Sequence, residues 1–129
     1  MQDERPLAGI RVLDFSRVVA GPLCGRLLAD QGAEVIKIEN PETGGDVGRY
    51  VPPYTVDRDS LYFQSFNRNK KSITLNLQHP RANEILHPLA RASDAVFNNL
   101  RGDLPATSSS ACHVIASISH APLCMLIVM

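Results

Sequence analysis

The first regular pattern along the chain is Ile10-Arg11-Val12-Leu13-Asp14-Phe15. It is short, apolar and β-branched at two positions, which predicts a strand. A loop over 16–21 follows, and Pro22 then stands where a helix favours proline, at its first position. Leu23, Leu27 and Leu28 share one face of a helix predicted over 22–31, and Gly32 is placed to take the left-handed position after it. Glu34-Val35-Ile36-Lys37-Ile38-Glu39 alternates with period two and predicts a second strand. Strand, helix and strand within about thirty residues make a βαβ unit, so the two strands should run parallel.

Residues 40–59 form a long loop rich in proline and glycine. Two short strands are expected next, over 60–66 and 72–77, joined by the charged turn Asn67-Arg68-Asn69-Lys70-Lys71. A second helix is predicted over 80–92, with Ala82, Ile85, Leu86 and Leu89 on one side. Pro88 should kink it or stop it near His87, because an interior proline costs ~3 kcal/mol in an undistorted helix. Ala95–Leu100 reads as a strand of the parallel type. Alternating helices and strands give an α/β class: a Rossmann-like open parallel sheet.

After Pro105 the pattern changes. Residues 106–111 are small and polar without a period, 114–119 allow a strand, and 123–129 are almost wholly apolar. Such an apolar run needs a partner surface, since exposed it favours aggregation. The chain therefore divides into a segment over 1–105 and a divergent tail over 106–129.

Composition narrows the function. Thirteen basic residues balance thirteen acidic ones, which gives no electrostatic case for nucleic acid or an anionic membrane. Hydrophobic residues at 44% and charged residues at 20% fit a soluble globular domain. Cys24, Cys112 and Cys124 are scattered, which fits reduced thiols in a cytoplasmic protein rather than zinc ligands or a disulfide framework. His79, His87, His113 and His120 show no metal-ligand spacing. Arg68, Lys70 and Lys71 read as a solvated turn, and Asp14, inside a strand, as a hydrogen-bonded structural carboxylate.

Four blocks stand in order and register: residues 6–22, 28–39, the Gly44-Gly45-Asp46 loop with Arg49, and 60–73 around Asn67-Arg68-Asn69-Lys70-Lys71. Together they resemble the opening of the family III CoA-transferases, the CaiB/BaiF type. The resemblance runs from about Pro6 to Arg101, roughly the first quarter to third of a family member. It implies an incomplete N-terminal part of that family's fold, with coenzyme A as the acyl-CoA substrate and a small carboxylic acid as acceptor. It also implies an aspartate nucleophile that forms a mixed anhydride, and an interlocked homodimer. No carboxylate here matches the family's nucleophile, so no catalytic residue is assigned and the isolated chain is expected to be inactive. By the same resemblance, Val18, Ala20, Leu75 and Asn99 are the CoA-lining positions. Val18 and Ala20 stand in the loop after the first strand, where open α/β sheets bind ligands. Asn99 has a donor and an acceptor that suit a pantetheine amide. Asn40 stands where some members place a phosphate-binding arginine, and Val19 where some carry glutamine. The other readings of the same chain are a non-catalytic CoA- or nucleotide-binding module and a truncated product without an independent role.

Overall fold

The computed structural model describes residues 5–54 and 60–99, and the backbone of 123–126. Strand β1 spans Arg11–Asp14, helix α1 Ala20–Asp30 and strand β2 Glu34–Glu39. Two short 3-10 turns, Pro41–Thr43 and Val47–Tyr50, occupy the long loop. Helix α2 (Leu61–Asn67), β3 (Lys71–Thr74), α3 (Ala82–Arg91), β4 (Ala95–Asn98) and β5 (Leu123–Leu126) complete the order.

The strands form one open sheet in the order β3-β2-β1-β4-β5. Every pairing in it is parallel, with Asp14 opposite both Lys37 and Phe97. The Rossmann-like α/β class expected from the pattern is the class observed. Leu123–Leu126, within the apolar stretch of the tail, pair by their backbone with the edge of β4, Leu123 opposite Ala95. The strand expected over 114–119 lies outside the described residues.

Each face of the sheet carries its own apolar layer. On one face Leu13, Phe15, Ile36, Ile38 and Val96 pack with Ala82, Leu86 and Ala90 of α3. On the other, Val12, Val35 and Phe97 pack with Ala29 of α1 and Ala33. The fully buried residues of α1 are Gly21, Pro22, Gly25 and Ala29; of the predicted leucine face, Leu28 packs at the edge of this layer, Leu23 is half-buried and Leu27 is 49% exposed. The cause lies beneath the helix. A Cβ on Gly25 would come within 2.9 Å of both Asp14 Oδ2 and Phe97 Cζ, so only a small residue lets α1 approach buried charge this closely. Gly32 takes the left-handed position after α1, at φ 105°.

Two expectations fail locally. Residues 61–67 are helical rather than extended. Ser60 caps α2 by accepting from the Phe63 N–H at 3.2 Å, and Tyr62 meets Phe66 edge-on one turn later at 5.0 Å. The two-strand turn expected over 67–71 is therefore a helix-to-strand connection. In α3, Pro88 does not end the helix, which runs on to Arg91. The Ala92 N–H bonds the Pro88 carbonyl at 3.1 Å, and burial of Ala82, Leu86 and Ala90 on the sheet holds both sides of the proline in place. Ile85 of the expected apolar face is 53% exposed.

Candidate functional site

In the observed strand order, the chain moves from β1 outward to β2 and β3, then crosses to β4 and continues away on the other side to β5. The point of reversal lies between β1 and β4. At such a point the loops after adjacent strands diverge and leave a crevice at their carboxyl ends, where open α/β sheets bind ligands. The loop after β1 (residues 15–19) and Asn99, directly after β4, border this crevice.

Asn99 spans it. Its Oδ1 accepts from the Arg17 N–H at 2.8 Å and its Nδ2 donates to the Arg17 carbonyl at 2.8 Å. Val18 follows in the left-handed region at φ 73°, where a β-branched residue is strained. Its N–H donates to Asp46 Oδ1 at 3.3 Å. Ala20 opens α1, which has no side-chain cap, and Pro22 brings no N–H to that first turn. A Cβ on Gly21 would fall 2.2 Å from Ser16 Cβ, so the turn into α1 requires glycine there.

Val18, Ala20 and Asn99 are thus brought to one crevice. Leu75 stands apart, past the end of β3. Its N–H donates to the Glu39 carbonyl at 2.8 Å, and its side chain packs on the α3 layer. It also lines a separate cleft of about 330 Å³ with Asn76, His79, Arg81, Ala82, Glu84 and Ile85.

Beneath the crevice runs a buried polar network, of which the residue pattern gives Asp14 as a hydrogen-bonded carboxylate but places Lys70 in a solvated turn. The Lys70 side chain is 2% exposed and does not belong to a solvated turn. Its Nζ donates to Asp14 Oδ2 and the Pro22 carbonyl, each at 2.8 Å, and to Asn67 Oδ1 at 2.9 Å. Burial pushes the Lys70 ammonium below the ordinary lysine range, with the Asp14 carboxylate pulling the other way. Asp14 Oδ1 accepts from the N–H and the hydroxyl of Ser16, as a hydrogen-bonded structural carboxylate does. Lys37 donates to the Ser16 carbonyl at 2.7 Å and pairs with Asp46 Oδ2 at 2.8 Å. The Asp46 N–H in turn donates to Glu39 Oε2 at 2.8 Å. Arg49 closes the chain, bonding both Glu39 oxygens at 2.8 and 2.7 Å while its guanidinium lies 3.8 Å over the Phe63 ring.

Three cations and three carboxylates balance in this network. A balanced buried network holds a loop in one shape and offers no free acid or nucleophile. Cys24 does not supply one either, since burial and then the Asp14 carboxylate push its thiol up. One signal for the network was present in the sequence. A strand of a parallel sheet is buried on both faces, so Lys37 and Glu39 within one had to be paired.

Comparison with known proteins adds an independent finding. The pattern of the family described as CoA-transferase family III matches residues 7–108. The succinyl-CoA:glutarate CoA-transferase of Mus musculus is 47% identical over 95 residues, which are 74% of this chain and 22% of that protein. The formyl-CoA:oxalate CoA-transferase of Afipia carboxidovorans is 44% identical over 95 residues, 74% of this chain and 22% of its own. A CaiB/BaiF family protein from Brucella suis superposes with a TM-score of 0.78 at 33% identity, over 98% of this chain and 33% of that one. The chain thus spans about a quarter of the length of the curated relatives it matches.

Proposed function

This chain belongs to CoA-transferase family III, and from that premise we propose that it forms the acyl-CoA-binding sheet of a transferase that moves CoA between carboxylic acids. The single observation that carries the reading is the meeting of Val18, Ala20 and Asn99 at the reversal point between β1 and β4.

In the reaction, an aspartate carboxylate attacks the thioester carbon, the C–S bond breaks, and CoA leaves as its thiolate with a mixed anhydride left on the protein. The thiolate then attacks the aspartyl carbonyl of the anhydride, so that the donor acid leaves as its carboxylate and CoA is held as an aspartyl thioester. The incoming carboxylate displaces the thiolate from that carbonyl, and the thiolate attacks the acyl carbon of the new anhydride, which makes the product thioester and frees the aspartate. By the family resemblance, no carboxylate of this segment stands at the nucleophile's position. Asp14 and Asp46, the buried aspartates nearest the crevice, are occupied by Lys70 and Lys37. What this segment does in the cycle is bind and orient: the loop after β1 presents backbone to the thioester arm, and the network below keeps that loop in shape. The remaining sheet, the second domain and the interlocked second copy belong to the same proposal, as does a cytoplasmic setting. Relatives of similar identity act on glutarate in one case and oxalate in another, so the choice of acid is assigned to residues beyond this segment.

Isothermal titration with CoA, paired with an assay for CoA transfer from succinyl-CoA to glutarate, tests the reading. Saturable heat without transfer is expected. No heat at millimolar CoA, or catalysed transfer by these residues alone, contradicts it.

A further inference from the structure

We infer that Asn99 is a positioning residue that latches the loop after β1 to the end of β4, rather than a residue that contacts the ligand; the consequence for thioester binding rests on the function proposed above. The Phe15 N–H donates to the Phe97 carbonyl at 3.0 Å, which continues the parallel pairing of β1 with β4. Two residues further, a regular ladder would bring the Arg17 N–H to the Asn99 backbone carbonyl. Instead it meets the Asn99 side-chain oxygen at 2.8 Å, and the same side chain returns a bond from Nδ2 to the Arg17 carbonyl at 2.8 Å. The side-chain amide stands in for the backbone. The strands can therefore splay apart at the crevice while remaining pinned at a fixed separation.

The strain next to the latch gives it a purpose. Val18 holds φ 73° although it is β-branched, and such a conformation persists only where its surroundings over-determine it. On one side the whole Arg17 backbone is held by Asn99; on the other the Val18 N–H is held by Asp46, itself fixed by Lys37 and the Gly48 N–H. A ligand-seeking amide would have its polar ends free. Asn99 has one donor hydrogen and its acceptor oxygen committed to Arg17, and its Cγ lies 3.3 Å from where a Cβ on Gly21 would stand, so it is wedged between the loop and α1.

Nuclear magnetic resonance of the 15N-labelled chain tests the latch without ligand. In the wild type, the Arg17 N–H and the Asn99 side-chain amide should both exchange at least about tenfold more slowly than open-chain amides. Asn99→Ala should displace the Val18 resonances at every pH. Asn99→Asp should displace them at neutral pH, where a carboxylate faces the Arg17 carbonyl, and return them toward wild type once the carboxyl is protonated and can donate again. That pH-dependent rescue is not expected of a general packing defect. Open-chain exchange of the wild-type Asn99 amide, or unmoved Val18 resonances in both variants, overturns the latch. If circular dichroism shows that a variant fails to fold, the wild-type exchange decides alone. Adding CoA separates this claim from the functional one. With the latch, Val18 and Ala20 shift while the Asn99 amide stays protected; loss of that protection overturns the latch. No shift anywhere counts against the thioester site and leaves the ligand-free result standing.

Discussion

Glu39 is 3% exposed, yet its carboxyl accepts four hydrogen bonds, two from Arg49 and one each from Ser72 and the Asp46 N–H. Burial alone would raise its pKa; these partners outweigh burial and hold it down to about 2, against an ordinary 4.5. A carboxyl depressed on folding stabilises the folded state above its unfolded pKa and loses that contribution as pH falls toward the folded one. Glu39 should therefore contribute on the order of 3 kcal/mol above pH 4.5, lost progressively down to about pH 2. Denaturant unfolding over that range, for the wild type and Glu39→Gln, checks it. The gap between the two should narrow with acid, and parallel curves would remove Glu39 as a contributor. The same scale separates Asn99 from Val18 and Ala20: all three border the crevice, but Asn99 spends its side chain on Arg17.

Among the elements, Lys70 shows how one buried cation joins several. Through Asp14 it reaches β1, through the Pro22 carbonyl α1, and through Asn67 the end of α2, while it stands itself immediately before β3. Lys70→Met leaves the Asp14 carboxylate buried without its cation, a change that costs about 3–5 kcal/mol. Chemical denaturation should show a loss of that size; a loss below about 1 kcal/mol would mean that solvent takes the place of the ammonium. Lys70 is also a residue whose burial is not legible locally. The strands β1, β2, β3 and β4 were legible because their short apolar or alternating runs are local signals. The helix over 61–67 was not, because Leu61-Tyr62-Phe63 favours a strand by propensity and only the Ser60 cap and the packing of Phe63 under Arg49 decide otherwise. A lysine among Arg68, Asn69 and Lys71 looks solvated by composition, and its burial depends on an aspartate 56 residues away. The crevice residues Val18 and Ala20 were found through family resemblance, whereas the network beneath them is a tertiary fact with a weak trace in Lys37 and Glu39.

For the whole molecule, the sheet order decides where a ligand can sit. By the rule for open α/β sheets the reversal between β1 and β4 is the expected binding position, and a cleft of about 330 Å³ lies elsewhere, beside α3, lined by Leu75, His79 and Ile85. On the proposed function a CoA thioester sits at the reversal point with its reacting end against the loop after β1. Amide hydrogen exchange of the chain with and without acetyl-CoA tests this most directly. Slowed exchange across residues 16–21, whether or not the α3 cleft also responds, is the predicted result; slowing confined to residues 75–85, or none at saturating ligand, would contradict it.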